Sequence, residues 1–562
     1  MTPPRASAPD SAPCHPAMAT ETELKLALVP AAIPALLAHP LLAAAPPQQT
    51  RLANTYFDTP DLALLARRFA IRLRKAGRRR LVTIKGEAKA PGGLSRRAEW
   101  EAEVPGDVLR FDHVDAPELR AELTALLPCL RPVFSTDFLR LTWQVRRGVS
   151  TIEVAFDRGR ILAVPEDGDP ARPLREAICE VELELLEGQD DDLLALAEAL
   201  AATLPLLPAP ASKAERGYRL YRRERPVPVK VRGNGYLAAA TPLEAFRGYA
   251  FACLESFNRN AAGFLSAHGD KGAGTTDPEF IHQARVALRR LRSALRLFAD
   301  ALPPDYLARW QPALAALANA LGPAREWQVL ADDLRRHPSS AQPPRQLARL
   351  LAHLARHERQ ALAHARKVLA AADTTHFVLG FLRATLALPP DQTAAFPGKT
   401  AGKDAAPGAS RETVASRALR RAGKSVQRRL ARLQKDATGA ADRPEALASD
   451  WHRLRIAIKR LRYSLDALAA QVRPRDLKAW NLHLLPLQDA LGQLNDSAVG
   501  IAHLRASAPR PDDPLVAPAI ARLEGRADAL FLTLPTLVAP LANLEPPRLK
   551  KSGAKNSPNT AD

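Results

Sequence analysis

Aromatic residues make up only 5% of the 562-residue chain, while Ala, Leu and Arg dominate wherever it is not rich in proline. That balance argues against an all-β fold and favours helix over most of the length. The four cysteines (Cys14, Cys129, Cys179 and Cys253) follow neither a disulfide framework nor a metal-ligand spacing. A reducing, cytoplasmic location is expected from this. No run of about 18 uninterrupted apolar residues occurs. The nearest stretch, residues 35–45, is broken by His39 and Pro40, so no membrane partner is expected. Residues 1–17 lack the basic-then-apolar order of a signal peptide and read as a disordered Pro/Ala-rich leader, with Met18 as an alternative start. The chain also lacks a P-loop, a GxGxxG turn, a Ser/His/Asp or Cys nucleophile set, and zinc-finger, RNP or KH signatures.

Hydrophobic residues reach 46% and charged residues 25%, an ordinary globular balance. The length implies two to four domains. The net charge of +20 is lopsided: residues 1–230 sum to +1, which leaves +19 for 231–562. A polyanion is the expected partner of the second part.

The pattern divides accordingly. Period-2 segments at 21–28, 70–75, 80–85, 98–104, 136–146, 150–158 and 177–186 read as strands, and 31–42, 117–127 and 190–204 read as helices. A Pro-containing basic stretch, 223–235, reads as a linker. From 236 to 545 everything is helical in pattern apart from a low-complexity insert at 389–410. The final residues, 546–562, are expected to be a disordered basic tail.

The strands carry charge in an unusual way. Side chains alternate along a strand, so Glu21, Glu23 and Lys25 share one face while Leu24, Leu26 and Leu28 take the other. Arg72 and Arg74 share a face, as do Arg97, Glu99, Glu101 and Glu103, then Glu153 and Asp157, then Glu180, Glu182 and Glu184. One such strand would be a solvated outer face. Several of them stack like charges that repel unless something neutralises them. A divalent cation would neutralise the carboxylates, and an oligophosphate would neutralise the Arg and Lys side chains. The charges therefore point to a closed antiparallel barrel with a polar interior, in which Glu oxygens suit Mg²⁺ or Mn²⁺.

Glu21-Thr-Glu23-Leu-Lys25 resembles the ExExK signature of the CYTH family, the triphosphate tunnel metalloenzymes. The resemblance continues through NTYFDTPD (54–61), IRLRK (71–75), TIKG (83–86), GGLSRRAEWE (92–101), FSTDFLR (134–140), IEVAFDRG (152–159), ICEVELELLEG (178–188) and SKAERGYRL (212–220). It implies an α+β fold over residues 18–222: an eight-stranded antiparallel tunnel with flanking helices. It also implies a catalytic set of Glu21, Glu23, Lys25 and Lys85. Metal ligation falls by the same resemblance to Glu21, Glu23, Glu153, Glu180, Glu182 and Glu184, with Asp157 as a further carboxylate. Triphosphate binding falls to Arg72, Arg74, Arg97, Arg140, Lys213 and Arg216. Tyr56, Phe57, Trp100 and Trp143 are the few aromatics that could stack a nucleobase, and core packing suits each better.

In the helical part, residues 282–295 align without gaps to residues 452–465. His282, Arg285, Arg289, Arg292 and Arg296 step by three and four along one helical face. His452, Arg455, Lys459 and Arg462 repeat the spacing, and Asp466 replaces the fifth cation. This repeated helix resembles the CHAD family, an all-α domain regarded as a binder of inorganic polyphosphate. These nine cations and histidines are the polyphosphate contacts that the resemblance implies, on a helical bundle with an internal pseudo-twofold repeat.

The expected protein is a metal-dependent inorganic triphosphatase that binds inorganic polyphosphate and associates with polyphosphate granules. Adenylate cyclase, thiamine or nucleoside triphosphatase, and a non-catalytic polyphosphate adaptor are the alternatives. Nucleic acid is a disfavoured partner.

Overall fold

The computed structural model describes residues 19–43, 46–86, 93–231, 242–266, 277–337, 343–389, 411–437, 444–469, 472–508, 510 and 513–549. The expected leader, most of the low-complexity insert and most of the basic tail lie outside them. The chain forms two units, Met1–Pro226 and Val227–Asp562.

The first unit is built on nine strands: β1 (Ala19–Leu28), β2 (Gln48–Asp58), β3 (Ala70–Ala76), β4 (Arg79–Lys85), β5 (Leu94–Glu103), β6 (Arg131–Arg147), β7 (Ser150–Ala163), β8 (Leu174–Glu187) and β9 (Leu206–Pro208). Its helices are α1 (Ile33–Leu37), α2 (Ala63–Ala66), α3 (Pro117–Leu126), α4 (Asp190–Ala201) and α5 (Lys213–Tyr221). The strand order is β5-β4-β3-β2-β6-β7-β8-β1, and antiparallel pairing of β1 with β5 closes the ring. Eight strands therefore form a barrel without a free edge, and the three residues of β9 add to β1. Strand β2 is absent from the period-2 segments read from sequence. Its first half is exposed and polar, so alternation shows only from Leu52 onward.

Closure sorts the side chains. Outside β3–β5, Ile71, Leu73, Val82, Ile84 and Trp100 pack with Leu64 of α2 and Leu123 of α3. Leu193, Leu194, Leu196 and Leu200 of α4 are also fully buried. Inside, one end of the barrel is apolar: Leu52, Tyr56, Phe134, Phe138, Ile161 and Ile178 cluster with Tyr218 of α5. Burying these groups removes them from water and fixes α5 across that end. A Cβ on Gly217 would lie 2.1 Å from the Phe134 ring, so only glycine allows this approach. The Tyr218 hydroxyl donates to Asp58 at 2.8 Å. Asp58 also accepts the N–H groups of Thr59, Leu64 and Leu65, which joins the end of β2, α2 and α5 at one buried carboxylate.

The second unit is all helical: α6 (Pro242–Ser266), α7 (Glu279–Leu297), α8 (Pro304–Ala320), α9 (Gly322–Arg336), α10 (Pro344–Ala370), α11 (Ala372–Leu386), α12 (Arg411–Ala437), α13 (Pro444–Ala467), α14 (Pro474–Ser507) and α15 (Ala517–Ala542). Phe246, Phe257, Phe264, Phe381 and Trp480 are its largest fully buried side chains. The two repeated basic segments are α7 and α13, and they pack against each other. Helix α14 is continuous where the sequence pattern suggested two helices meeting near Asn495 and Asp496. Buried Leu491, Ser497, Gly500 and Leu504 carry its packing stripe through that point. Two boundaries also differ from expectation. Val229, within the expected linker, exchanges hydrogen bonds with Asn260 and Ser256 of α6. At the start of the expected tail, Leu549 bridges to Val472.

A charged barrel interior as the candidate active site

Strand register decides which charges meet. Antiparallel pairing sets Glu21 opposite Arg97, Lys25 opposite Glu182, Glu23 opposite Glu184, Lys85 opposite Glu99, Arg140 opposite Asp157, and Glu153 opposite Glu184. The strand residues expected to act in catalysis, metal ligation or triphosphate binding share the interior face and are buried or half-buried, whereas Glu103 at the end of β5 is exposed.

The pairs form two connected groups. In one, Glu21 accepts from Lys85 at 3.0 Å and from Arg97 at 2.9 Å, and Glu23 pairs with Arg97 at 2.6 Å and with Lys25. Burial opposes ionisation of Glu21, yet Lys85 and Arg97 hold its carboxyl far below the usual range. Lys85 also reaches Glu99 at 2.6 Å, and Arg72 lies 3.7 Å from Glu99 and 3.8 Å from Glu101. In the other group, Arg140 makes a two-pronged contact with Asp157 at 2.8 and 2.7 Å and reaches Glu182 at 2.6 Å. Lys213 Nζ sits 2.6 Å from Asp157, 2.5 Å from Glu180 and 2.9 Å from Glu182. Burial works against the Lys213 ammonium, but Asp157 and its neighbours raise it above the ordinary lysine range. Arg216 joins Glu180 to Glu176 at 2.8 and 2.6 Å.

Three groups are left unbalanced. Arg74 has only the Asn54 amide oxygen, at 3.0 Å, and no carboxylate within 4 Å among the described residues. Burial, with Arg72 beside it, lowers its guanidinium to about 10. Glu153 and Glu184 face each other with no cation within 4 Å among the described residues. Burial raises both carboxyls, and repulsion from Glu21 helps to bring Glu184 to about 7. An interior holding both an unanswered cation and unanswered carboxylates is complementary to a phosphate group and a metal ion together.

The carboxylates fit such an ion. Ligand oxygens of Asp157, Glu180 and Glu182 lie within 4.8 Å of one another. Lys213 Nζ already sits among these oxygens, 2.5 Å from Glu180 Oε1, so an ion held by this trio would have to displace the ammonium. Glu153 and Glu184 supply two more hard oxygen ligands without a competing ammonium. Sequence reasoning named neither Asn54 nor Glu176 as a site residue, although Asn54 opens the NTYFDTPD block. Nothing in their local pattern marks that role, because their partners lie 20 and 40 positions away.

The aromatic candidates are all packed. Tyr56 stacks on Phe134 with centroids 4.4 Å apart, and Trp100 belongs to the outer cluster and donates to Asp115. Phe57 packs against that same outer cluster, and Trp143 is buried.

In the helical unit, the basic faces of α7 and α13 converge. Arg285 and Arg289 lie within electrostatic reach of Lys459, and Arg289 of Arg455. The Nε atoms of Arg285, Arg289 and Arg455 are buried without a hydrogen-bond partner. Burial and the neighbouring Arg455 bring Lys459 down to about 8. His282 falls to about 4 through burial and then Arg325, so its ring is neutral at pH 7. His452 is exposed, and Arg462 is half-buried on α13. Glu326 sits 4.0 Å from Arg285 and 3.2 Å from His503.

Comparison with known proteins agrees with this division. Residues 19–218 match the CYTH domain family model, and residues 249–505 match the CHAD domain model. The inorganic triphosphatase of Haemophilus influenzae is 35% identical over 213 residues, covering 36% of this chain and 55% of that protein. The chain thus spans little more than half the length of that curated relative. A solved CHAD domain from the plant Ricinus communis is 26% identical, covering 58% of this chain and 99% of that one at a TM-score of 0.43. A putative adenylyl cyclase from Hippeastrum, described as having a dominant triphosphatase activity, is 18% identical, covering 35% and 95% at a TM-score of 0.27.

Proposed function

Since the chain joins a CYTH domain to a CHAD domain, we propose that it hydrolyses inorganic triphosphate inside the barrel and binds inorganic polyphosphate on its helical domain. The observation that carries the first half is the coexistence of unpaired Arg74 with unpaired Glu153 and Glu184 in one enclosed polar interior. The packed aromatics favour a bare oligophosphate over a nucleotide or thiamine ester, because none is free to stack a ring.

Arg72, Arg74, Arg97, Arg140, Lys213 and Arg216 would hold the phosphate chain, with Lys25 and Lys85 beside them. Most of these cations already lie against carboxylates, so substrate oxygens exchange with partners in place and little reorganisation is needed. Glu21, Glu23, Glu153, Glu180, Glu182 and Glu184 would hold the Mg²⁺ or Mn²⁺. When bound, the metal supplies Lewis-acid polarisation of phosphate oxygens. Water attacks a terminal phosphorus and the bridging P–O bond breaks in line, giving orthophosphate and diphosphate.

The test is turnover by the full chain of tripolyphosphate, ATP and thiamine triphosphate, with and without Mg²⁺ or Mn²⁺. Phosphate release from tripolyphosphate, dependent on metal and abolished by Glu21→Gln with Glu23→Gln, is expected. Cyclic AMP as the product would make the protein a cyclase. Tight binding without turnover would make it a polyphosphate adaptor.

For the helical domain, the buried Nε atoms of Arg285, Arg289 and Arg455, which lack a hydrogen-bond partner, support an anion chain as ligand, as does the +19 charge of residues 231–562. The exchange-related neighbours Arg285–Lys459 and Arg289–Arg455 support a local twofold relation of the two repeats. Long-chain polyphosphate should displace DNA at equal phosphate concentration, and tighter DNA binding at physiological salt would defeat this reading. Among the described residues no helix is long and apolar enough to cross a membrane. A cytoplasmic protein recruited to polyphosphate granules is consistent with that.

A further inference from the structure

Resting on the reading that the helical domain binds polyphosphate, we propose that it carries a second anion subsite. Arg292, Arg296, Arg460 and Arg429 build this subsite, and it engages only chains long enough to extend from the Arg285–Arg289–Arg455–Lys459 cluster. The second subsite follows from a defect in the repeat. Alignment of the two basic segments equates Arg285 with Arg455, Arg289 with Lys459, Arg290 with Arg460 and Arg296 with Asp466. Under that exchange the neighbours Arg285–Lys459 and Arg289–Arg455 are equivalent, and both are cation against cation. The neighbours Arg290–Asp466 and Arg460–Arg296 are equivalent too, but their charges differ. Arg290 lies 3.6 Å from the Asp466 carboxylate, so that side is neutralised. On the other side Arg460 faces Arg296 and Arg292 with no acid in the position that Asp466 fills.

Helix α12 adds to the imbalance. It packs against both α7 and α13, and Arg429 lies within electrostatic reach of Arg460. The Arg429 Nε is buried without a hydrogen-bond partner. Among the described residues none of Arg292, Arg296, Arg429 and Arg460 has a carboxylate within 4 Å. Arg460 thus has Arg292, Arg296 and Arg429 within electrostatic reach and no counter-charge, and a bound anion relieves that repulsion through charge-assisted, two-pronged hydrogen bonds. The two clusters follow one another along α7, and only their far ends are well separated. Arg285 and Arg296 are eleven residues apart, a rise of about 16 Å, longer than three linked phosphates can bridge.

The test compares Arg429→Gln/Arg460→Gln with Arg289→Gln/Arg455→Gln in the full, metal-free chain. Retention on immobilised long-chain polyphosphate is measured against salt. Protection of the α7 amides from hydrogen exchange by tripolyphosphate reads the first cluster apart from the barrel. The Arg429/Arg460 pair should weaken long-chain binding about tenfold and flatten its salt dependence by about two counterions, leaving tripolyphosphate protection unchanged. The Arg289/Arg455 pair should lose both. Arg429→Lys/Arg460→Lys should keep most of the long-chain affinity. Equal weakening of both ligands by the Arg429/Arg460 pair, no weakening, or equal loss in its Gln and Lys versions would overturn the second subsite. Failure of the unaltered chain to bind polyphosphate at all would instead overturn the reading beneath it.

Discussion

Replacing Glu184 with Gln should stabilise the metal-free barrel at alkaline pH and blunt its response to divalent cations. Glu184 stands opposite Glu23 on β1 and Glu153 on β7, without a cation within 4 Å among the described residues. Burial, followed by repulsion from Glu21, lifts its carboxyl from 4.5 to about 7. A rise of that size costs the charged form about 3 kcal/mol. Between pH 4.5 and 7 the folded protein keeps a proton that the unfolded chain has released. This carboxyl's contribution to stability therefore falls across that window, and the whole penalty is present above pH 7. A neutral amide avoids the penalty but lacks hydrogen-bond partners, so a net gain of about 1–3 kcal/mol is expected at pH 8 and none at pH 4. Hydrogen exchange of the β7 and β8 amides in the full chain reads this gain apart from the helical unit. Saturating Mg²⁺ or Mn²⁺ should protect the parent more than the variant. Equal protection of the two metal-free proteins at pH 8 would refute the claim that Glu184 is an uncompensated charge.

Three further outcomes are expected. Lys213→Met removes the ammonium among buried Asp157, Glu180 and Glu182, and should cost about 3–5 kcal/mol by the same exchange measurement, with partial recovery on acidification. A neutral effect would refute the claim that Lys213 balances these carboxylates. Gly217→Ala drives a methyl into the Phe134 ring and should push α5, with Lys213 and Arg216, out of place. The KM for tripolyphosphate should rise several-fold, and an unchanged KM would show that α5 does not position those cations. Lys459, lowered to about 8 by burial and Arg455, should regain its proton when a polyanion binds. Calorimetry in buffers of different ionisation heat should then show proton uptake at pH 9 that Lys459→Gln removes, and absence of uptake at pH 9 would contradict its place in the site.

Much of the candidate site could be read from the chain because a strand has period two. Glu21, Glu23 and Lys25, or Glu180, Glu182 and Glu184, declare a shared polar face in any strand. The basic stripe of α7 was equally visible, since steps of three and four mark one face of a helix. Strand β2 escaped notice because half of it is exposed and polar, and its burial depends on β3 and β6, which flank it only after folding. The break expected near Asn495 failed because neighbouring helices cover Ser497 and Gly500. Local propensity carries no record of such cover.

By itself the chain's order of residues determined the direction of each side chain, the charge of each face and the near-repeat of one basic helix, since all three depend only on local geometry. Tertiary structure alone decided which charges answer one another. Glu21 is neutralised by Lys85 and Arg97, more than 60 positions away, while Glu184 on an equally acidic strand is not. Arg290 meets Asp466 and Arg296 meets Arg460. Coulomb energy falls with distance and rises with burial, and both are set by strand register, barrel closure and helix crossing, which bring distant parts of the chain together.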